Sequence, residues 1–210
     1  IDQGAGPLSV TMSEDGTPTA WSAPTLSASD VDADTLTWTV ASGPSHGTAT
    51  VSGTGASPGT FDYSPATNFE NSDSFTVRVE DGAGGSDTIV VNVTVEPTQD
   101  PVVISEGASV AVTMSEDSVP TPFSLTLNAV DPDAADTLTW SVAADGANGS
   151  AAASGTGASK AIAYTPDTHF NGSDAFIIQV DDGQGSTDAI VVSVTVEPVN
   201  DAPTIDQGLG

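Results

Sequence analysis

Apolar and polar residues alternate along much of this chain. Leu36, Trp38 and Val40 alternate with threonines, and Phe75, Val77 and Val79 alternate with Thr76 and Arg78. Ile89, Val91, Val93 and Val95 do the same with Val90, Asn92 and Thr94. A period of two sends every second side chain to one face, which marks a half-buried β-strand. No stretch carries the wider stripe of an amphipathic helix. Gly-, Asp-, Asn- and Pro-rich turns separate the runs, among them Gly82 to Gly85, Asn148-Gly149 and Asn171-Gly172. In the first half the pattern predicts strands near Leu8–Met12, Trp21–Ser27, Leu36–Ala41, Thr48–Val51, Thr60–Tyr63, Asp73–Glu80 and Asp87–Val95. About seven short antiparallel strands in roughly 100 residues are the signature of an all-β, Ig-like Greek-key sandwich.

The pattern then repeats. Val10-Thr11-Met12-Ser13-Glu14-Asp15 recurs as Val112-Thr113-Met114-Ser115-Glu116-Asp117, and Asp34-Thr35-Leu36-Thr37-Trp38 as Asp136-Thr137-Leu138-Thr139-Trp140. Val95-Glu96-Pro97-Thr98-Gln99-Asp100-Pro101 returns as Val196-Glu197-Pro198-Val199-Asn200-Asp201-Ala202. A period of roughly 100 residues makes each copy a folding unit. The expected organisation is repeat 1 over 1–98, a linker over 99–103, repeat 2 over 104–199, and over 200–210 a second linker with the start of a third repeat at Ile205. Two tandem Ig-like sandwiches are therefore the fold expected.

Charge changes the picture. The chain carries 29 acids against two bases, Arg78 and Lys160, for a net charge of −27. A nucleic-acid binder needs a basic face, and an anionic membrane surface needs the same. Neither partner is expected, and no apolar run is long enough to span a bilayer. Cysteine is absent, so Trp38 and Trp140 must pack without the disulfide of antibody domains. Enzymatic chemistry is not expected either. His46 and His169 occupy non-equivalent places, no serine sits in a nucleophile elbow, and the paired acids recur in both copies, as structural features do.

Aspartates in turns are ordinary turn chemistry, but four acidic features recur in each repeat. These are Glu14 and Glu116 after the opening strand, the pairs Asp30/Asp32 and Asp131/Asp133, the turn residues Asp81 and Asp182, and the linker residues Asp100 and Asp201. In a seven-strand sandwich the turns that carry the second and third features share one end. Asp131, Asp133 and Asp182 should then cluster where the linker arrives with Asp100. Several carboxylates so close cannot all stay ionised cheaply. A hard cation with about 6–8 oxygen ligands resolves the conflict, and calcium is the ordinary choice. Asp30-Val31-Asp32-Ala33-Asp34 imitates the start of an EF-hand loop, but Thr35 and Ala41 stand where that loop needs Gly and Glu.

Asn200-Asp201-Ala202-Pro203, the aspartates at 131 and 133, and the run IIQVDDGQG at 177–185 resemble cadherin repeats. They are most similar to the bacterial cadherin-like repeats of large secreted and surface adhesins, the RTX-adhesin extender type. The resemblance implies calcium at repeat junctions. Carried over residue by residue, it places Glu14 and Asp73, the Gln99 carbonyl and Asp100, and Asp131, Asp133 and Asp182 around one junction. Asp30, Asp32 and Asp81 would serve a preceding junction, and Glu116, Asp174 and Asp201 a following one. Gln99-Asp100-Pro101 departs from the family's Asn-Asp-Ala-Pro, and Glu70-Asn71 from its Asn-Gly turn. The function implied is a monomeric, non-catalytic extender outside the bacterial cell, stiffened by calcium and joined to neighbouring repeats, for adhesion or biofilm formation. The alternatives are homophilic adhesion and polysaccharide binding, in which Trp21, Trp38 and Trp140 would form a stacking platform instead of core.

Overall fold

A computed structural model describes residues 1–4 and 6–203. Ile205 and the expected start of a third repeat lie outside the described residues. The chain divides into two compact units, Ile1–Thr98 and Gln99–Gly210.

The first unit contains β1 (Leu8–Ser13), β2 (Thr37–Ser42), β3 (Gly47–Thr54), β4 (Thr60–Pro65), β5 (Asn71–Glu80) and β6 (Ser86–Glu96). Their order is β1-β6-β5-β2-β3-β4. The longest ladder joins β5 to β6, from Asn71 opposite Val95 to Glu80 opposite Ser86. Here the period of two is carried out residue by residue, with Ile89, Val91, Val93 and Val95 inside and Thr88, Val90, Asn92 and Thr94 outside. β3 turns a corner between layers: Gly53 and Thr54 pair with β2, while Gly47 to Ser52 pair with β4. Val51 and Tyr63 thus face Phe75, Val77 and Val91 in one core.

The second unit contains β7 (Val103–Ile104), β8 (Ser109–Ser115), β9 (Leu125–Val130), β10 (Thr139–Ala144), β11 (Gly149–Ala152), β12 (Gly155–Thr156), β13 (Ser159–Pro166), β14 (Gly172–Asp181) and β15 (Thr187–Glu197). A five-stranded sheet, β12-β10-β14-β15-β8, faces a four-stranded one, β11-β13-β9-β7.

Two local expectations change. The sandwich is not wholly antiparallel, because β1 runs parallel to β6 and β8 parallel to β15. In the second unit the opening strand is split between layers: β7 pairs with β9 in one sheet, and the chain turns at Gly107 before β8 joins the other. The second difference is that Trp21–Ser27 forms no strand, although its counterpart β9 does. The first repeat has one more residue between Trp21 and Leu26 than the second has between Phe123 and Leu127, which shifts the alternation. Pro24 also lacks a ladder N–H. Leu26 and Ala28 are still buried, and Ala28 N donates to Ala56 O at 2.8 Å.

Trp38 and Trp140, each 1% exposed, fill the centres of the two cores. Their indole Nε1 groups donate to Gly55 O (2.9 Å) and Gly157 O (2.7 Å), so the polar end of each buried ring is satisfied. Neither ring is available as a sugar platform. Trp21 is half-buried and packs edge-on against Phe61, with centroids 6.1 Å apart.

Tyr164 stacks on Phe176 at 5.3 Å, as Tyr63 does on Phe75 at 5.8 Å. The far side of each tyrosine lies against a glycine. A Cβ on Gly149 would meet the Tyr164 hydroxyl and would lie 2.7 Å from Thr165 O. Overpacking against backbone cannot be relieved by a rotamer change. Gly149→Ala is expected to cost about 2 kcal/mol and to lower the urea midpoint of the second unit alone. Gly47→Ala should do the same to the first unit. A midpoint unchanged in both variants would show that the neighbouring strand backbone yields.

Candidate metal centre

β9 ends at Val130, and the chain then turns through Asp131-Pro132-Asp133. Asp131 Oδ1 accepts the Asp133 N–H at 3.0 Å, an Asx turn of the kind aspartate favours. Asp136 N donates to Asp133 O at 2.9 Å and brings a third carboxylate back over the loop. Facing it is the turn from β14 to β15, closed by Asp182, which is 1% exposed. Its Oδ1 accepts N–H groups from Gln184 (2.7 Å), Gly185 (2.9 Å) and Ser186 (3.0 Å). One oxygen each from Asp131, Asp136 and Asp182 falls within 4.8 Å of the others.

The chain that leads into this unit is hung on the same loops. Asp100 N donates to Asp133 Oδ2 at 2.7 Å, and Gln99 Nε2 to Asp133 Oδ2 (2.9 Å) and Asp136 Oδ2 (2.6 Å). Val102 N reaches Ser186 Oγ at 3.2 Å, and Ile104 N reaches Asp188 Oδ2 at 2.7 Å.

The electrostatics are uneven. Burial alone would raise the Asp182 carboxyl, but the backbone N–H groups of its turn outweigh burial and hold it below the usual carboxylate range. Asp131 is pushed the other way. Burial raises it first, the charges of Asp133, Asp136 and Asp182 add to the rise, and the Asp133 N–H opposes only in part. Its Oδ2 is buried and, among the described residues, has no hydrogen-bond partner. A buried carboxylate oxygen without a donor, beside two further carboxylates, fits a hard cation with oxygen ligands. Asp131, Asp136 and Asp182, with Asp133 and Asp100 beside them, are the residues that could hold one.

The other expected site residues take different places. In the first unit Asp30 Oδ1 accepts both Asp32 N (2.9 Å) and Asp34 N (3.1 Å). Asp81 closes the β5–β6 turn as Asp182 closes its own, accepting Ala83 N (2.7 Å), Gly84 N and Gly85 N (both 2.9 Å). Asp30, Asp81 and Asp87 line one cleft. Glu14 Oε1 accepts Thr98 N at 2.7 Å, and Glu116 Oε1 accepts Val199 N at 2.6 Å, so each glutamate holds the chain as it leaves its unit's last strand. Asp201 Oδ2 lies 3.0 Å from His169 Nδ1.

Asp73 and Asp174, expected among the junction ligands, lie inside their own units. Each is 8% exposed and is an internal anchor. Asp174 accepts Ala147 N (2.9 Å) and Ala175 N (2.9 Å) on one oxygen, and Asn148 N (2.9 Å) and the Tyr164 hydroxyl (2.6 Å) on the other. Asp73 does the same with Ser45, Ser74, His46 and Tyr63. Both carboxylates therefore have their acceptors filled from within their own unit. Asp136 was not among the expected ligands. Its signal was available in the repeated Asp-Thr-Leu-Thr-Trp run, which places an acid at the far end of the Asp131 loop.

Two tandem Ig-like sandwiches define the class, an Ig-like repeat module. The chain belongs to the bacterial Ig domain family, whose model matches residues 4–94 and 98–195. No curated protein matches in sequence. Among solved structures, the chain is similar to a human mucin-like protocadherin EC1-2 pair at 15% identity and TM-score 0.52, over 93% of this chain and 97% of that one. It is also similar to human CDH23 EC21-23 at 16% identity and TM-score 0.54, over 90% of this chain and 72% of that one. These likenesses show the fold. An endo-fucoidan hydrolase of glycoside hydrolase family 107 aligns at 19% identity and TM-score 0.39, over 93% of this chain, which spans only 28% of the hydrolase. A likeness that weak carries no argument about activity. No helix among the described residues is long and apolar enough to cross a membrane.

Burial raises the Asp174 carboxyl, but the Tyr164 hydroxyl and three backbone N–H groups outweigh it and hold the carboxyl below the usual range. Its folded value therefore lies below its unfolded one. The stability it contributes is fully present above the unfolded value, about 3.9, and is lost as pH falls through the folded value. Asp174→Asn is expected to cost about 2–3 kcal/mol at neutral pH, with the gap to wild type closing below about pH 4. Urea midpoints of both proteins from neutral pH into acid check this, and a gap independent of pH would mean that ionisation is not what anchors the turn.

Proposed function

We propose that these are non-catalytic extender repeats of a bacterial surface adhesin of the RTX type, acting outside the cell. In this reading calcium binds Asp131, Asp136 and Asp182, with Asp133 and Asp100 beside them, and stiffens the connection between repeats. The repeats then project a ligand-binding region for adhesion or biofilm formation. The observation that carries the reading is the buried Asp131 Oδ2, which has no donor among the described residues, on a side chain grouped with two further carboxylates. A divalent cation would supply what no side chain there supplies, because the whole chain has only two bases. The Asp100 N–H of the linker already ends on this loop. An ion that fixed the loop would fix the linker with it. Cadherin repeats enter as supporting fold likeness only.

Extracellular calcium modules bind with Kd of about 10⁻⁴ to 10⁻³ M. At about 5 mM calcium, binding to the folded state alone adds roughly 1–2 kcal/mol of stability. That is a rise of roughly 5–15 °C in the Tm of the second unit. Asp131→Asn should abolish this rise. It should also raise the Tm in chelator, because it removes a buried charge held among like charges. A variant less stable than wild type in chelator, or one still stabilised by calcium, argues against the site. Small-angle scattering tests the extender role: the maximum dimension should grow with calcium in wild type and stay constant in Asp131→Asn. Identical wild-type profiles with calcium and with chelator would remove the mechanical role.

A further inference from the structure

Gln99 places an uncharged donor where the proposed ion's charge would be felt. Its Nε2 lies 2.6 Å from Asp136 Oδ2 and 2.9 Å from Asp133 Oδ2, so one NH₂ group spans two carboxylates. The orientation follows from the partners. Only the nitrogen end of a carboxamide has two N–H donors, and the oxygen end would be repelled by both neighbours. The equivalent residue of the second linker, Asn200, is one methylene shorter, and its Nδ2 donates to Asp201 O at 3.3 Å.

From this geometry we infer that the Gln99 carboxamide is a tethered place-holder for the cation: it bridges Asp133 and Asp136 when no ion is bound and must leave for an ion to enter. This rests on the calcium reading above. N–H hydrogens cannot point at a cation, so the interaction that steadies the two carboxylates in the ion's absence is lost when the ion arrives. Gln99 has two effects as a result. It lessens the repulsion between Asp133 and Asp136 in the metal-free state, and it raises the calcium concentration at which the site fills. Because the side chain is exposed and tethered on the linker, its release is also a change in what holds the linker to the loop.

The test is Gln99→Met in the full chain, which keeps the length of the side chain and removes its donors. Calorimetric titration with calcium chloride and thermal melts in chelator are run on wild type, Gln99→Met and Asp131→Asn. The expected result is calcium affinity about fivefold tighter in Gln99→Met, the equivalent of one net hydrogen bond of ordinary strength, together with a lower Tm than wild type in chelator. Calcium binding by Gln99→Met where wild type shows none would support the same inference more strongly. Wild type that binds calcium while Gln99→Met binds equally or more weakly overturns the place-holder and leaves the calcium reading standing. No binding by wild type or Gln99→Met overturns both. Binding by Asp131→Asn as tight as wild type puts the ion elsewhere and overturns both as well.

Discussion

A sandwich core cannot hold a carboxylate that lacks donors, and this chain has 29 acids with only two bases to pair with them. Its fold depends on giving those acids another counterpart, and backbone N–H groups at strand ends serve. Ladders leave such groups unused wherever strands turn, and each needs an acceptor. Asp81 and Asp182 take the N–H groups of the two long hairpin turns. Asp73 and Asp174 take those of the turns that precede β3 and β11. Glu14 and Glu116 take Thr98 N and Val199 N. Asp188 takes Ile104 N at 2.7 Å. Acidity and turn geometry satisfy each other, so a strongly anionic chain folds almost without salt bridges.

Among the described residues, that matching fails at one buried carboxylate oxygen. Asp30 and Asp131 begin equivalent loops, and Asp30 Oδ1 receives two N–H groups. Asp131 Oδ1 receives that of Asp133, while its Oδ2 is buried with no donor among the described residues. Asp133, Asp136 and Asp182 bring more negative charge to the same place. A cluster of acids is unremarkable in a chain of this composition. What separates this one is that burial first, and then the charges of its neighbours, drive Asp131 towards the protonated form, against the trend at Asp73, Asp81, Asp174 and Asp182.

Much of the fold was legible because alternation translates directly into burial. Phe75, Val77 and Val79, read as one face, are one face, and the two tryptophans are the centres of the two cores. The second strand of the first repeat was not legible, since a single extra residue before Leu26 and the missing N–H of Pro24 leave composition nearly unchanged while breaking a ladder. Asp136 was hidden by template matching. The Asp-x-Asp-x-Asp run invites comparison with an EF-hand, and the extra alanine at 134–135 breaks that spacing. In the folded loop the same insertion leaves Asp136 close enough to join Asp131 and Asp182. The anchoring role of Asp73 and Asp174 did leave a trace, because both fall on the inward phase of their strands.

That phase explains how one strand makes two kinds of acid. Along β14 and into its turn, Asp174, Phe176, Ile178, Val180 and Asp182 all point inward, and all are nearly inaccessible. An apolar core strand is thus bracketed by buried carboxylates. At the Asp174 end the partners are neutral donors, the Tyr164 hydroxyl and three backbone N–H groups, and the carboxylate completes the packing. At the Asp182 end backbone donors also suffice for Asp182 itself, but two more acids arrive from the loop after β9 with too few donors to share. The incoming chain passes at that end, and Gln99, Asp100, Val102 and Ile104 each give it a donor. The distribution of backbone donors therefore makes one end of the sandwich a closed structural joint. At the other end it leaves a charge imbalance beside the segment that enters the unit, where the N–H groups of Gln99 and Asp100 reach the same acidic loop.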